Sequence, residues 1–233
     1  MSAQTSIRSA ARWLSLGVGF AAATYGAYGA RTWRRYGQAD PSTFEERDGL
    51  LDQFMPVYDV VDRHRIRVNA PAAVTLAAAC DMDLQESTVV RMIIKARELL
   101  LGATSVDRIP QGLMAEMQSL GWGVLANVPG REIVVGAVTK PWEANVTFRS
   151  LPPDQFAAFS ELDYVKIAWT LRADSVSPTE SILRTETRAI ATDPQARMKF
   201  RWYWACLSPG IRLIRRASFG PVKRDAEHRV ACA

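Results

Sequence analysis

The sequence predicts an α+β domain with an antiparallel β-sheet, preceded by an N-terminal transmembrane helix. Three observations support this. Residues 13–30 form a run without charge, residues 57–69 alternate between apolar and polar side chains, and Asp193-Pro194 opens a long helical segment near the C-terminus. Most predicted strands lie together between helices at the front and at the end, rather than alternating with them. This grouping is typical of an α+β fold.

The first element is the uncharged run WLSLGVGFAAATYGAYGA at residues 13–30. A helix of this length spans roughly 27 Å, close to a hydrocarbon core of about 30 Å. We therefore predict a single-pass anchor in residues 1–36, with the lipid bilayer as a partner. Three arginines follow the run and two precede it, which favours a cytoplasmic position for the remaining chain. A cleaved signal peptide and a packed helix are the alternatives.

Charge and cysteine content exclude several classes of protein. The net charge is +5, but residues 1–39 contain five arginines and no acidic residue, so the rest of the chain is neutral. Nucleic-acid-binding domains usually carry a basic surface on the folded part, so we expect no nucleic-acid partner. The three cysteines show no CxxC spacing, and the sequence contains only two histidines. We therefore expect no metal site and no cofactor.

Between the anchor and the middle of the chain, hydrophobic periodicity and the residues that start or end helices predict the elements. Residues 37–56 are polar and predict a linker with a short amphipathic piece. Alternation predicts a strand over 57–69, with arginines on one face and Asp62 and His64 on the other. Helices are expected at residues 70–80, 86–102 and 109–120.

The second half of the chain predicts the rest of the sheet and a closing helix. Pro129-Gly130 marks a turn between two strands within residues 122–142, and Ser177-Pro178-Thr179 separates two longer ones. Asp193 is the expected N-cap of the final helix, and Pro209-Gly210 is expected to kink or break it. The remaining expectations are a strand over 144–151, a helix over 152–162, long strands over 163–176 and 180–192, and an inward stripe of Met198, Trp202, Ala205 and Cys206 on the final helix.

Residues 57–229 resemble the START/pollen-allergen-like superfamily, also called SRPBCC, which has the helix-grip fold. The resemblance rests on RHRIRVNAPAAVTLAAA, on the strand GREIVVGAV, on the paired strands YVKIAWTLRADSV and ILRTETRAIATD, and on the terminal helix. It implies a curved antiparallel sheet that grips the long C-terminal helix and leaves a cavity for an apolar small molecule or lipid. A minority of such proteins are cyclases or hydratases. The helical insert at residues 86–120 departs from the pattern and could cap or fill the cavity.

The resemblance and the strand periodicity together suggest which residues contact a ligand. We expect the cavity to lie between the two long strands and the inward stripe of the final helix, with His64 on the first strand. The expected ligand-binding residues are Val165, Ile167, Trp169, Leu171, Leu183, Thr185, Thr187, Met198, Trp202, Cys206 and His64.

Two other functions remain open. Asp62 and His64 are neighbours on one strand face, so they could form an acid–base couple in a small cyclase- or hydratase-type enzyme. Such a pair can equally be a satisfied polar contact, and we assign no catalytic residue. The third possibility is a structural or partner-binding domain with a filled core. A cavity with His64 in its wall favours the enzyme, and a solid interior favours the structural role.

Overall fold

A computed structural model describes residues 19–20, 23–38, 43, 47–83 and 112–232. The described strands form one antiparallel sheet in the order β1-β6-β5-β3-β2, with the short strand β4 paired to β3. The chain has the predicted α+β organisation. The elements within the described residues are α1 (residues 23–35), α2 (Gly49–Asp52), β1 (Val60–Val68), α3 (Ala72–Asp81), α4 (Leu113–Ser119), β2 (Gly123–Val128), β3 (Glu132–Thr139), β4 (Phe148–Arg149), α5 (Pro153–Ala158), β5 (Val165–Ser177), β6 (Glu180–Ala191) and α6 (Pro194–Ala231).

The alternation in the strands gives the sheet two chemically different faces. Asp62 lies opposite Thr187 in the β1–β6 register, and His64 lies opposite Thr185. Thr187 in turn lies opposite Trp169 on β5. We call the face that carries these residues the inner face. Successive side chains on a strand point to opposite sides, so Arg63, Glu186 and Arg188 occupy the outer face.

Helices cover both faces of the sheet. On the inner face, α3, α4 and the C-terminal half of α6 share an apolar core with Leu171 and Leu183. On the outer face, Leu51, Met55 and Phe156 are fully or almost fully buried against β3 and β5. The second half of the segment predicted as a linker therefore contributes to the core of the outer face.

Helix α6 begins as the sequence predicts and then continues further than expected. The Asp193 carboxylate accepts hydrogen bonds from the backbone N–H groups of Gln195 and Ala196, at 2.8 and 3.0 Å, which caps the helix. The helix runs through Pro209 and Pro221 to Ala231. The sequence predicts a kink or a break at Pro209-Gly210, and the continuous helix shows that the break is wrong. Proline removes one helical hydrogen bond, but burial on both sides of it holds the segment against the sheet.

The expected inward stripe of α6 is also wrong for three of its four residues. Met198 and Trp202 are 52% and 61% exposed, and Cys206 is exposed, whereas Ala205 is buried. The buried stripe is offset by two residues and contains Ala196, Phe200, Trp204 and Ser208. Phe200 and Trp204 pack with Tyr36, Val60 and Val165, so the chain before β1 supplies the contact that selects this stripe.

The described part of the N-terminal region packs along α6. The rings of Trp33 and Trp202 have centroids 4.5 Å apart, and Arg201 Nη2 donates a hydrogen bond to the Trp33 carbonyl oxygen at 2.7 Å. Among the described residues, no helix is both long enough and apolar enough to span a membrane. Residues 1–18 and 21–22 lie outside the described residues, and with them much of the predicted anchor. The anchor therefore stays a prediction.

Smaller differences concern the ends of elements. The hairpin turn at Pro129-Gly130 is confirmed, and Gly130 has a φ of +72°, a conformation that glycine adopts most readily. The strand expected over 144–151 contains only the two residues of β4, and the helix expected over 109–120 is described as Leu113–Ser119. The helix expected over 86–102 lies outside the described residues.

Candidate functional site

A cavity of about 230 Å³ lies between the inner face, α3, α4 and the C-terminal half of α6. Its wall is mainly apolar and includes a few polar side chains, a composition typical of small-molecule sites. We call it the inner cavity. It is lined by Ala79, Met82, Leu113, Met117, Trp122, Ile167, Trp169, Leu171, Leu183, Thr185, Thr187, Ile211, Ile214, Arg215, Ser218, Phe219 and Val222.

Period-two alternation in β5 and β6 supplies the floor of the inner cavity. Ile167, Trp169 and Leu171 share one face of β5. The antiparallel register sets Leu171 beside Thr185 and Trp169 beside Thr187. The two threonines therefore lie within an otherwise apolar floor.

Helical periodicity in α6 supplies the opposite wall. Ile211, Ile214, Arg215, Ser218 and Val222 recur at intervals of three or four residues, so they share one side of the helix. Ser218 is small, and its hydroxyl donates to the Ile214 carbonyl oxygen at 2.9 Å instead of reaching across the cavity. A small side chain at this position helps to leave the volume open.

Two tryptophans form one side of the inner cavity. The ring centroids of Trp122 and Trp169 are 6.2 Å apart in an edge-to-face arrangement, and Trp122 also packs on Phe148 at 4.9 Å. Large aromatic rings offer extensive apolar surface to a ligand. Both indoles border the empty volume, so their fluorescence is expected to report occupancy.

Arg215 and Thr185 form the polar end of the inner cavity. Arg215 Nη1 donates a hydrogen bond to Thr185 Oγ1 at 3.1 Å, and Arg215 Nε lies 3.7 Å from Asp62 Oδ2. Burial lowers the pKa of the Arg215 guanidinium, and the negative charge of Asp62 opposes this shift. The neighbouring Thr187 Oγ1 is buried and has no hydrogen-bond partner among the described residues.

The predicted contact between Asp62 and His64 is present. His64 Nε2 donates to Asp62 Oδ2 at 2.9 Å, and both side chains are largely buried. Burial acts to raise the pKa of Asp62, but the His64 hydrogen bond and the charges of Arg215, His64 and Arg212 together lower it. The His64 ring packs edge-on against Phe219, with centroids 6.2 Å apart. Phe219 lines the inner cavity, whereas His64 lines a second, polar pocket of about 170 Å³.

The structure brings together six of the expected ligand-binding residues and separates the others. Ile167, Trp169, Leu171, Leu183, Thr185 and Thr187 all line the inner cavity. Val165 is buried with Phe200 and Trp204 instead. Met198, Trp202 and Cys206 lie on an exposed side of α6, away from the cavity. Their expected place in the cavity wall is therefore wrong.

Sequence reasoning did not identify the α6 residues that do line the cavity. Their spacing could have been recognised in the sequence, because a stripe at helical intervals follows Pro209: Ile211, Ile214, Arg215, Ser218 and Val222. The expected interruption at Pro209-Gly210 concealed this stripe. Across the described ranges, no group of three or more His, Cys, Asp or Glu side chains is arranged to hold a metal ion.

Comparisons with known proteins find similar solved structures but no matching family. No family model matches the chain, and no curated protein matches it. Solved structures with a similar backbone include a hypothetical protein from Helicobacter pylori, with 6% identity and a TM-score of 0.40, covering 80% of this chain and 99% of that one. They also include the Zhui aromatase/cyclase from a Streptomyces species, with 11% identity and a TM-score of 0.27, covering 73% of this chain and 94% of that one.

Proposed function

We propose that the chain is a helix-grip domain that binds a small apolar molecule or lipid in the inner cavity and is held at a membrane by residues 13–30. The observation that carries the binding proposal is the apolar-walled volume of about 230 Å³ between the sheet and α6. Burial of a ligand there gains about 25 cal/mol for each Å² of apolar surface removed from water. The arrangement of sheet and long C-terminal helix agrees with the resemblance seen in residues 57–229.

The volume narrows the class of ligand. Most small-molecule sites have volumes of about 300–1,000 Å³, so the inner cavity is smaller than usual. A single short chain or one small ring system fits this volume better than a sterol or a lipid with two acyl chains.

The two rival functions have less support. The enzyme hypothesis expects His64 in the wall of the apolar cavity, but His64 packs against Phe219 and lines a separate polar pocket of about 170 Å³ instead. The filled-core hypothesis expects a solid interior, which the volume between the sheet and α6 opposes.

The membrane tether rests on the sequence of residues 13–30. Sedimentation of the full chain with phospholipid vesicles measures it, and a chain that stays in the supernatant opposes the tether.

Tryptophan fluorescence tests the binding proposal. The full chain is titrated with straight-chain alcohols from hexanol to hexadecanol. We expect a saturable change whose affinity rises with chain length and then levels off, because the cavity is partly open and a longer chain extends beyond it. The signal should fall sharply in Trp122→Phe and Trp169→Phe, whose indoles line the cavity, and persist in Trp202→Phe, which lies outside it.

A pair of α6 variants makes the test specific to the volume. Ser218→Leu places bulk inside the inner cavity and should weaken alcohol binding at least about tenfold, or about 1.4 kcal/mol. Cys206→Leu adds similar bulk on an exposed side of the same helix and should leave binding unchanged. If no alcohol binds, or if both variants bind as wild type does, the inner cavity is not the binding site.

A further inference from the structure

We propose that the molecule bound in the inner cavity carries a carboxylate, and that Arg215 binds this group. The ligand class is then an apolar carboxylic acid of short or medium length. This inference rests on the proposed function, because it assigns the head group of the ligand that the cavity accommodates.

The charges around the polar end of the inner cavity do not balance. Arg215 and Arg212 bring two guanidinium groups to Asp62, which is the shared carboxylate. His64 also donates a hydrogen bond to the same carboxylate. Arg212 is 38% exposed and does not line the inner cavity, so water hydrates part of its charge, whereas Arg215 lines the cavity and has only a share of the Asp62 carboxylate. A ligand carboxylate supplies the missing negative charge.

Asp62 is engaged mainly by groups other than Arg215. Its Oδ2 accepts from His64 Nε2 at 2.9 Å, and its Oδ1 forms an ion pair with Arg212, whose Nε lies 3.2 Å away but makes no hydrogen bond among the described residues. Arg215 Nε is further away, at 3.7 Å, beyond hydrogen-bonding distance. Among the described residues, the Arg215 side chain makes one hydrogen bond, to Thr185 Oγ1. A guanidinium has five N–H donors, so Arg215 retains donors for a ligand.

The position of Arg215 makes it costly to leave these remaining N–H donors unpaired. Its side chain is only 20% exposed, and it lines a cavity whose other residues are mostly apolar. A buried charge without a full set of partners is costly, and a carboxylate can accept two parallel hydrogen bonds from one guanidinium. The unpartnered Thr187 hydroxyl provides one more donor near this end of the floor. The apolar wall contributed by Ile211, Ile214 and Val222 then accommodates the carbon chain.

A matched pair of ligands isolates the head group. Titration calorimetry at about pH 8, where an aliphatic carboxyl is ionised, compares decanoate with decanol on the full chain. Wild type should bind decanoate at least about tenfold more tightly, a difference of about 1.4 kcal/mol. Arg215→Gln should remove this preference and leave the affinity for decanol nearly unchanged. Arg216→Gln changes the exposed next residue on α6 and should bind as wild type does.

The outcomes separate this inference from the proposed function. Equal binding of decanoate and decanol by wild type overturns the head-group assignment while the apolar site stands. A decanoate preference that survives in Arg215→Gln also overturns it, because the head group then lies elsewhere. Failure of both ligands to bind, or equal binding by wild type and Ser218→Leu, counts against the proposed function itself. If Arg215→Gln does not fold, Arg215→Lys replaces it in the test. Lysine keeps the positive charge but cannot donate two parallel hydrogen bonds to a carboxylate, so this variant should retain only part of the preference for decanoate over decanol.

Discussion

The two faces of the sheet enclose pockets of different character. The inner cavity has about 230 Å³ and is lined mostly by apolar side chains. The second pocket has about 170 Å³ and is lined mainly by charged and polar residues of the outer face, including Arg63, Arg172 and Arg184, with His64 and Thr185 also at its wall. Consecutive residues of β6 alternate between the two sides, so one short sequence helps to build both.

The two faces differ in whether their arginines have carboxylate partners. On the outer face, Arg63 pairs with Glu186 at 3.0 Å, and Asp174 pairs with both Arg172 and Arg184 at 2.6 and 2.7 Å. These arginines already have carboxylate partners, so an anionic ligand would have to compete with them. On the inner face, Arg215 lacks a hydrogen-bonded carboxylate among the described residues. The comparison indicates that the outer face pairs its own charges, and that the inner face, where we propose that the ligand binds, leaves Arg215 with unused donors.

The largest expected effect comes from breaking the outer network at Arg188. This side chain is only 2% exposed, donates to Glu186, Asp52 and the Met55 carbonyl oxygen, and lies over the Tyr58 ring. Arg188→Met leaves buried acceptors without their donor and should lower the free energy of unfolding by about 3 kcal/mol. Denaturant unfolding measures this loss.

The control for this change is Arg65→Met, an exposed arginine on the same outer face of β1. Exposed substitutions usually change stability by less than about 0.5 kcal/mol. Equal losses for the two variants would show that the outer network does not carry the stability assigned to it.

A smaller effect is expected from Glu132, whose carboxyl is buried on the outer face and 3% exposed. Burial, together with the hydrogen bond and charge of Asp48, raises the pKa of Glu132 from 4.5 to about 8. The folded state therefore binds a proton that the unfolded state loses between these two values. The contribution of Glu132 to stability is full below about pH 4.5 and is lost as the pH rises to about 8.

Glu132→Gln keeps a neutral side chain at every pH and should remove this dependence. We expect the variant to be more stable than wild type at about pH 9, by about 1–3 kcal/mol, and the difference to shrink towards about pH 5. Unfolding curves across this range test it, with Glu143→Gln at an exposed site as the control. Parallel pH profiles for wild type and Glu132→Gln would contradict the assignment.

The smallest effect is expected at Thr187 on the inner face. Its hydroxyl is buried without a partner among the described residues, so it adds a desolvation cost and gains no hydrogen bond. Thr187→Val has nearly the same shape and should raise the free energy of unfolding by about 1 kcal/mol. Thr75→Val is the control, the same substitution at a threonine whose hydroxyl has a partner: Thr75 Oγ1 lies 2.8 Å from Ser181 Oγ in a buried hydrogen bond. That variant should be destabilised, and a stability loss in Thr187→Val would indicate that its hydroxyl has a partner.

The sequence by itself determined the fold class, most strands and the floor of the inner cavity. Period-two alternation is a local property, so it placed Trp169 and Leu171 on one face of their strand, and Leu183, Thr185 and Thr187 on one face of theirs. The resemblance to the helix-grip superfamily then predicted that both faces meet the cavity. It also placed Asp62 beside His64, and the structure confirms the contact. The cap of α6 at Asp193 was equally local, because a side chain and the next few backbone amides are sufficient to form it.

Only the tertiary structure decided which side of α6 meets the sheet. Two apolar stripes exist near its start, one through Met198 and Trp202 and one through Phe200 and Trp204, and helical spacing alone does not rank them. Tyr36, far away in the sequence, packs with the second stripe. The helix also continues past Pro209, and Arg215 in its C-terminal half donates a hydrogen bond to Thr185 on the sheet. The polar end of the cavity was therefore invisible in the sequence, because it depends on contacts between residues that are distant along the chain.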